Sequence, residues 1–125
     1  MSQPYDSSSS HDVERRTLRL RLARQRSDAA FGRMMGGRDF RAFVWGLLER
    51  THVFETSFDR CPQVMAFREG ERNVGLGVLD WVNRLCPERY RTMADEASQD
   101  GAAQEEAAQD SVRTGEQQED ERHED

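Results

Sequence analysis

Residues 38–50, RDFRAFVWGLLER, carry the clearest periodic pattern in the sequence and decide its predicted fold class. The apolar residues recur at spacings of three and four, which places them on one face of an amphipathic helix: Phe40, Phe43, Val44, Leu47 and Leu48. A helix that buries this face is therefore predicted over residues 38–50.

A second helix is predicted from Pro62 to about Leu85. Proline suits the first helical position, where its missing N–H would have no partner, and Pro87 stops the helix. The predicted buried face is apolar at all positions but one: Val64, Phe67, Glu71, Val74, Val78, Trp81 and Leu85. The sequence therefore predicts an all-α protein whose core is a helical hairpin over residues 38–86. The residues expected to hold the core together are Phe40, Phe43, Val44, Leu47, Phe54, Phe58, Phe67, Val74, Val78 and Trp81.

Charge is segregated along the chain. Residues 1–91 carry 16 Arg against 12 acidic residues, a balance of +4, and residues 92–125 carry 2 Arg against 12, a balance of -10. The C-terminal segment is mainly Ala, Gln, Glu and Asp, which bury too little apolar surface to offset the entropy of ordering. We therefore expect a flexible, Arg-rich N-terminal arm over residues 1–36, a helical core domain over 37–92 and a disordered acidic tail over 93–125. Truncation after Met93 is accordingly expected to leave the core folded.

The N-terminal arm has two structural interpretations. Leu18, Leu20 and Leu22 alternate with arginine as in a strand, but the neighbouring residues are strong helix formers, which favours a helix. Its arginines are candidate nucleic-acid contacts, because guanidinium groups neutralise phosphates: Arg15, Arg16, Arg19, Arg21, Arg24 and Arg26. The alternatives are a solvated helix, or an arm that docks on an acidic protein surface such as the chain's own tail.

The sequence predicts no membrane span, no metal site and no cofactor. No apolar run reaches the length of a span, and the N-terminus lacks the apolar stretch of a signal peptide, so the expected compartment is cytoplasmic. Cys61 and Cys86 should be free thiols there. A continuous helix between them would separate them by about 37 Å, far beyond disulfide reach.

Catalysis is not expected, because a nucleophile needs a base and an orienting group in a site that excludes water. The one pairing near the core that the sequence leaves open is Cys61 with His52. Gly70, Gly75 and Gly77 do not have the spacing of a phosphate-binding loop. Within a helix they predict either the close approach of another helix or a kink.

Three segments carry a family resemblance. They are residues 37–49, GRDFRAFVWGLLE, residues 53–58, VFETSF, and residues 67–76, FREGERNVGL, which contain the pattern glycine-x-arginine-asparagine-valine-glycine. Together they resemble the first helix, the connector and the most specific motif of a family of small proteins of short-tailed bacteriophages. Members of that family lie in virion structural gene clusters, so the resemblance implies a morphogenesis or virion-associated component.

With this resemblance, the sequence predicts a non-catalytic phage particle assembly or internal virion protein that acts at the head or portal. Its expected partners are phage structural proteins (head, portal or scaffold) or a second copy, with no membrane and no small-molecule substrate. DNA binding through the Arg-rich arm is the alternative. The expected location is the host cytoplasm or the virion. A hairpin cannot bury all of its apolar residues, which predicts an interface with these candidates: Phe40, Trp45, Leu48, Arg72, Asn73, Leu76, Leu79 and Trp81.

Overall fold

The computed structural model describes residues 7–123 and, over that range, contains four helices and no strand. α1 spans Ser7–Met34, α2 spans Arg38–Arg50, α3 spans Pro62–Leu85 and α4 spans Pro87–His123. The all-α prediction is confirmed, as are the predicted bounds of α2 and α3. The ends of the predicted arm and tail, residues 1–6 and 124–125, lie outside the described residues. None of the described helices is long and apolar enough to span a bilayer.

α1 runs as one helix through Leu18 and Leu22, because the helix-forming Arg, Leu, Ala and Gln around them override their strand-like alternation. Its side chains are exposed from residue 11 to residue 27. Only its end packs on the rest of the chain, where Trp81 Nε1 donates a hydrogen bond to Asp28 at 2.9 Å. The described part of the predicted flexible arm is thus helical, and its flexibility is not confirmed.

The core lies where the end of α1, α2, the second half of α3 and the start of α4 meet. Its buried side chains are Phe31, Met35, Val44, Leu48, Val53, Val82, Cys86 and Met93. α4 packs on both α2 and α3, so the hairpin predicted over residues 38–86 is only part of the core. Phe31, Met35 and Met93 also lie outside the core domain predicted over residues 37–92.

The set of core residues predicted from the sequence is wrong at five of its ten positions. Val44 is buried, and Phe40, Leu47, Val78 and Trp81 are half-buried. The other five are exposed: Phe43, Phe54, Phe58, Phe67 and Val74. For Phe67 and Val74 the physical reason is length, because the apolar stripe of α3 extends beyond the surface that the other helices present to it.

Arg41 is the only buried charged side chain among the residues that the structure describes, and it joins α2 and α4 to the turn that follows α1. Its Nη1 donates to the carbonyl oxygens of Met35 and Gly36 in that turn at 3.1 and 2.9 Å. Its Nε and Nη2 donate to the two carboxylate oxygens of Glu96 on α4 at 3.0 and 2.6 Å. This two-point geometry fixes the orientation of α4 against α2.

The disordered tail predicted over residues 93–125 is wrong for residues 93–100. Met93 is buried, Glu96 binds Arg41, and Asp100 forms an exposed ion pair with Arg38 at 2.9 Å. Residues 101–123 continue the same helix, because Ala, Glu and Gln extend a helix that packing has already nucleated. Their side chains are exposed throughout. Truncation after Met93 would therefore remove a structural ion pair, contrary to the expectation from composition.

The turn after α2 places its loop against α3. His52 has φ 56°, and the N–H groups of His52 and Val53 donate to the carbonyls of Glu49 and Leu48 at 3.0 and 3.2 Å. This is the hydrogen-bond pattern of a Schellman cap, in which the residue after the turn contacts the last helical turn. The cap turns Val53 into the core.

Gly75 lies under this loop and is buried. A Cβ at residue 75 would overlap the side chains of Thr51 and Val53, whereas a Cβ at Gly70 or Gly77 would meet no atom within 4 Å. The predicted close approach is therefore present at one of the three glycines. It is made by the loop after α2 instead of by another helix.

We predict that Gly75→Ala lowers the free energy of unfolding by about 1–3 kcal/mol, because the added methyl group overpacks the contact with the loop. Gly77→Ala should instead raise it by up to about 1 kcal/mol, since alanine favours helix and the position is open. Urea denaturation of both variants measures the difference. Equal effects at the two positions would contradict the close approach at Gly75.

We predict that Glu96→Gln destabilises the protein at neutral pH but not in acid. The hydrogen bonds from Arg41, aided by nearby arginine charges, lower the pKa of Glu96 below its ordinary value of 4.5 despite desolvation. A lowered folded-state pKa means that the pair stabilises the fold above that ordinary pKa, and that this stability is lost as the pH falls through the folded pKa. Thermal unfolding curves of the variant and the wild type should therefore converge on acidification.

Asp100→Asn is the matched control for this experiment. It removes the exposed ion pair with Arg38, which should contribute no more than about 1 kcal/mol. A difference between Glu96→Gln and the wild type that stays constant with pH would contradict the role given to the Glu96 carboxylate.

Candidate functional site

Apart from Met65, which is 37% exposed, six large apolar side chains remain exposed on α2, α3 and the loop between them. We refer to these six together as the hairpin apolar surface: Phe43, Phe54, Phe58, Val64, Phe67 and Val74, with exposures from 38% to 70%. Four of the six phenylalanines of the chain belong to this set. Phenylalanine is normally among the most buried residues, so this concentration is the most unusual feature of the surface.

The loop of residues 51–61 is fixed where it displays Phe58. Ser57 donates a hydrogen bond to the carboxylate of Glu69, and Arg68 forms an ion pair with Asp59 at 3.2 Å. Both residues next to Phe58 are thus tied to α3. The Phe58 side chain is nevertheless 70% exposed, so a held backbone presents it outward.

A series of aromatic contacts connects the core to this surface. Phe31 stacks on Trp81 with ring centroids 5.1 Å apart, and it meets Phe40 edge-on at 5.9 Å. Phe40 in turn stacks on the exposed Phe43 at 6.1 Å. The ring of Phe43 is therefore oriented by neighbours that reach back into the core.

A second series of contacts orients Phe54. Trp45 stacks on Phe54 at 5.3 Å and lies 6.4 Å from Tyr90 of α4, while its Nε1 donates to Glu49 at 2.7 Å. The exposed rings of Phe43 on α2 and of Phe54 in the loop after it are thus each packed against an aromatic neighbour.

The residues predicted for the interface occupy three environments. Phe40, Trp45, Leu76, Leu79 and Trp81 are half-buried and pack against the core. Leu48 is fully buried in the chain's own core, so its prediction as a contact residue is wrong. Arg72 is half-buried and Asn73 is exposed. Helical periodicity indicates an apolar face but not how much of it the chain itself covers, and for this reason it does not distinguish the exposed Phe43 and Phe67 from core residues.

A polar cleft of about 200 Å³ lies beside the loop, at the motif that carries the family resemblance. Its lining residues are His52, Glu55, Thr56, Ser57, Arg68 and Arg72. The buried Nε of Arg72 has no hydrogen-bond partner among the described residues, and Glu69 lies 3.7 Å from the other end of the guanidinium. The guanidinium group of Arg72 thus lines the cleft with one donor unused, and that donor, Nε, is itself buried.

The pairing of Cys61 with His52 that the sequence left open is not formed. Cys61 Sγ contacts Gln63 Oε1 at 3.2 Å, and His52 Nδ1 contacts Glu55 at 3.1 Å. Both cysteines are free, as predicted; Cys61 is exposed, and burial raises the pKa of the Cys86 thiol. Within residues 7–123, no group of three or more His, Cys, Asp or Glu side chains could hold a metal ion.

The six candidate DNA contacts of α1 are all exposed. At 100° per residue they do not form one stripe. Arg15, Arg19 and Arg26 share one face, and the other three arginines project elsewhere: Arg16, Arg21 and Arg24. Arg15 forms an exposed ion pair with Asp12 at 2.8 Å.

Comparison with known proteins gives one match. The family described as Bbp19-like phage protein matches residues 31–95, just over half of the chain. No curated protein and no solved structure matches. The predicted family resemblance is confirmed, and the match extends beyond residues 37–86 to include every buried core residue from Phe31 to Met93.

We predict that Phe67→Ser changes the free energy of unfolding by less than about 0.5 kcal/mol, because the ring is exposed and makes no core contact. Leu48→Ala, in the same hairpin, should cost about 2–5 kcal/mol, because it leaves a cavity in the core. Urea denaturation compares the two. A loss for Phe67→Ser as large as that for Leu48→Ala would mean that the hairpin apolar surface is part of the core.

Proposed function

Since the chain belongs to the Bbp19-like phage protein family, we propose that it is a non-catalytic particle assembly or internal virion protein of a bacteriophage. It acts through protein–protein contacts at the phage head or portal, in the host cytoplasm or within the virion. The observation that carries the proposal is the hairpin apolar surface. All six of its residues lie within the matched residues 31–95.

The energetics of this surface support a docking role. Burying one exposed phenylalanine contributes on the order of 1.5–3 kcal/mol. Covering several of these rings would therefore supply much of the binding free energy of a stable complex. Exposed apolar surface of this kind usually marks an interface. Rings held by aromatic stacking and by an anchored loop also lose less entropy on binding than flexible side chains would.

The small core supports the same proposal. Eight buried apolar side chains stabilise the described chain, and small cores leave only a few kcal/mol of net stability. A partner that binds only the folded state adds stability by mass action. Docking on a head or portal protein would therefore stabilise this chain as well as attach it.

A non-catalytic role is supported by the one nucleophile–base pairing that the sequence left open, Cys61 with His52. The thiol of Cys61 and the ring of His52 have other partners, as described above. The cleft beside the loop is instead lined by Arg68 and Arg72, whose side chains are 48% and 32% exposed and are suited to holding an acidic side chain of a partner.

DNA binding is the second candidate function, and the arginines of α1 favour it. Residues 15–26 contain six exposed arginines and no acidic residue, which would give salt-dependent binding without sequence preference. A test by deletion should stop at residue 26. Asp28, Phe31 and Met35 belong to the folded unit, so removal of the whole arm to residue 36 would damage the core.

We predict that the purified protein binds the capsid, portal or scaffold protein of its own phage, and that Phe67→Ser/Val74→Ser weakens this binding about tenfold or more. The matched control is Val13→Ser/Leu20→Ser. These side chains are equally exposed, at 62% and 66%, but lie on α1 outside the family match. Calorimetric titration against each purified partner measures the affinities.

Two outcomes would contradict this function. One is equal weakening by both pairs of substitutions, which would indicate nonspecific apolar binding. The other is a protein that binds none of the head proteins but retards duplex DNA, and that stops doing so when residues 1–26 are deleted. That result would establish the DNA-binding alternative.

A further inference from the structure

Two long helical segments leave the core without meeting another part of the chain. α1 is exposed from residue 11 to residue 27, and α4 is exposed from residue 101 to residue 123. Within residues 7–123 no ion pair joins one segment to the other. Isolated helices of this length are marginal in water, so both segments would gain from a partner.

The two segments have opposite charge. Residues 15–26 of α1 contain six arginines and no acidic residue. Residues 105–121 of α4 contain one arginine, Arg113, and these acidic residues: Glu105, Glu106, Asp110, Glu116, Glu119, Asp120 and Glu121. The net charges are therefore +6 and -6.

The two helices also repeat the same pattern on one face. On α1, positions i, i+4, i+7 and i+11 are Arg15, Arg19, Leu22 and Arg26. On α4, the same positions are Glu105, Gln109, Val112 and Glu116, and Glu119 continues that face. At 1.5 Å per residue, Arg15 and Arg26 are about 16 Å apart along α1, and Glu105 and Glu116 are the same distance apart along α4. Leu22 and Val112, the apolar members, are 46% and 61% exposed.

We propose that this face of α1 binds the matching face of α4 in a second copy of the chain. With the two helices parallel, Arg15 and Arg26 meet Glu105 and Glu116, and Leu22 packs against Val112 between them. Arg19 lies opposite the amide of Gln109. In a two-fold dimer the pairing occurs twice, because each copy supplies one basic and one acidic helix. The hairpin apolar surface takes no part, so this inference does not depend on the proposed contact with head proteins.

A second copy fits this face better than nucleic acid does. Only three of the six arginines share the face, and the leucine at its centre has no counterpart on a phosphate backbone. The complementary spacing, by contrast, is present on the same chain. The ion pair of Arg15 with Asp12 does not oppose the docking, because both side chains are about 70% exposed and their pairing is exchangeable.

Charge reversal tests the pairing in the full-length protein. R15E/R19E/R26E places like charges on both helices, and so does E105R/E116R/E119R. Each variant alone should lose the dimer, with a dissociation constant raised on the order of a hundredfold. An equimolar mixture of the two variants should form a heterodimer, because both pairings are then restored with reversed sign. R16E/R21E/R24E is the control, since it makes the same change of net charge on other faces of α1.

Light scattering coupled to size exclusion measures the mass over a range of protein concentrations. The dimer should weaken from 0.1 M to 1 M salt, as the Debye length shortens from about 10 Å to about 3 Å. A wild type that is monomeric at every concentration in 0.1 M salt would overturn the proposal. So would equal loss in R16E/R21E/R24E, or two variants that fail to associate when mixed although circular dichroism shows both to be helical.

Discussion

The ion pair between Arg41 and Glu96 is the constraint on which the arrangement of the helices depends. One guanidinium binds the carbonyls of Met35 and Gly36 in the turn after α1 and both carboxylate oxygens of Glu96 on α4, while its backbone belongs to α2. A buried charge that lost either partner would face a large desolvation cost. The pair therefore ties the end of α1 to α4 across α2, and it sets the direction in which α4 leaves the core.

The residues that match the family are also the residues that form the core. The chain therefore consists of a folded central unit with a helical extension at each end. The buried residues run from Phe31 to Met93, within the matched residues 31–95. The same segment leaves the hairpin apolar surface uncovered, because the loop of residues 51–61 meets α3 at Arg68 and Glu69 and leaves Phe67 and Val74 exposed. The core is small because these apolar side chains are exposed instead of buried in it. A partner that covered them would bury the apolar surface and stabilise the fold.

The Arg-rich part of α1 and the acidic part of α4 lie outside the matched residues. Both are exposed helices, and neither contributes a buried residue. Their opposite charges are what the proposed pairing requires, since two helices of like charge would repel each other. The folded unit thus carries one surface suited to apolar docking and two extensions suited to electrostatic pairing. The two kinds of contact respond differently to salt.

The sequence by itself determined α2 and α3: the apolar spacing of α2 and the prolines at residues 62 and 87 fixed their bounds, because these signals are local. It also determined the family, through residues 70–75. Only the tertiary structure decided which apolar residues are buried, because the periodicity that marks Phe43 and Val44 alike does not state how much of the helix the rest of the chain covers. The role of Arg41 was likewise invisible, since its carboxylate partner lies 55 residues away in a segment whose composition indicates disorder. Contacts between distant segments depend on the path of the backbone, and no local pattern encodes that path.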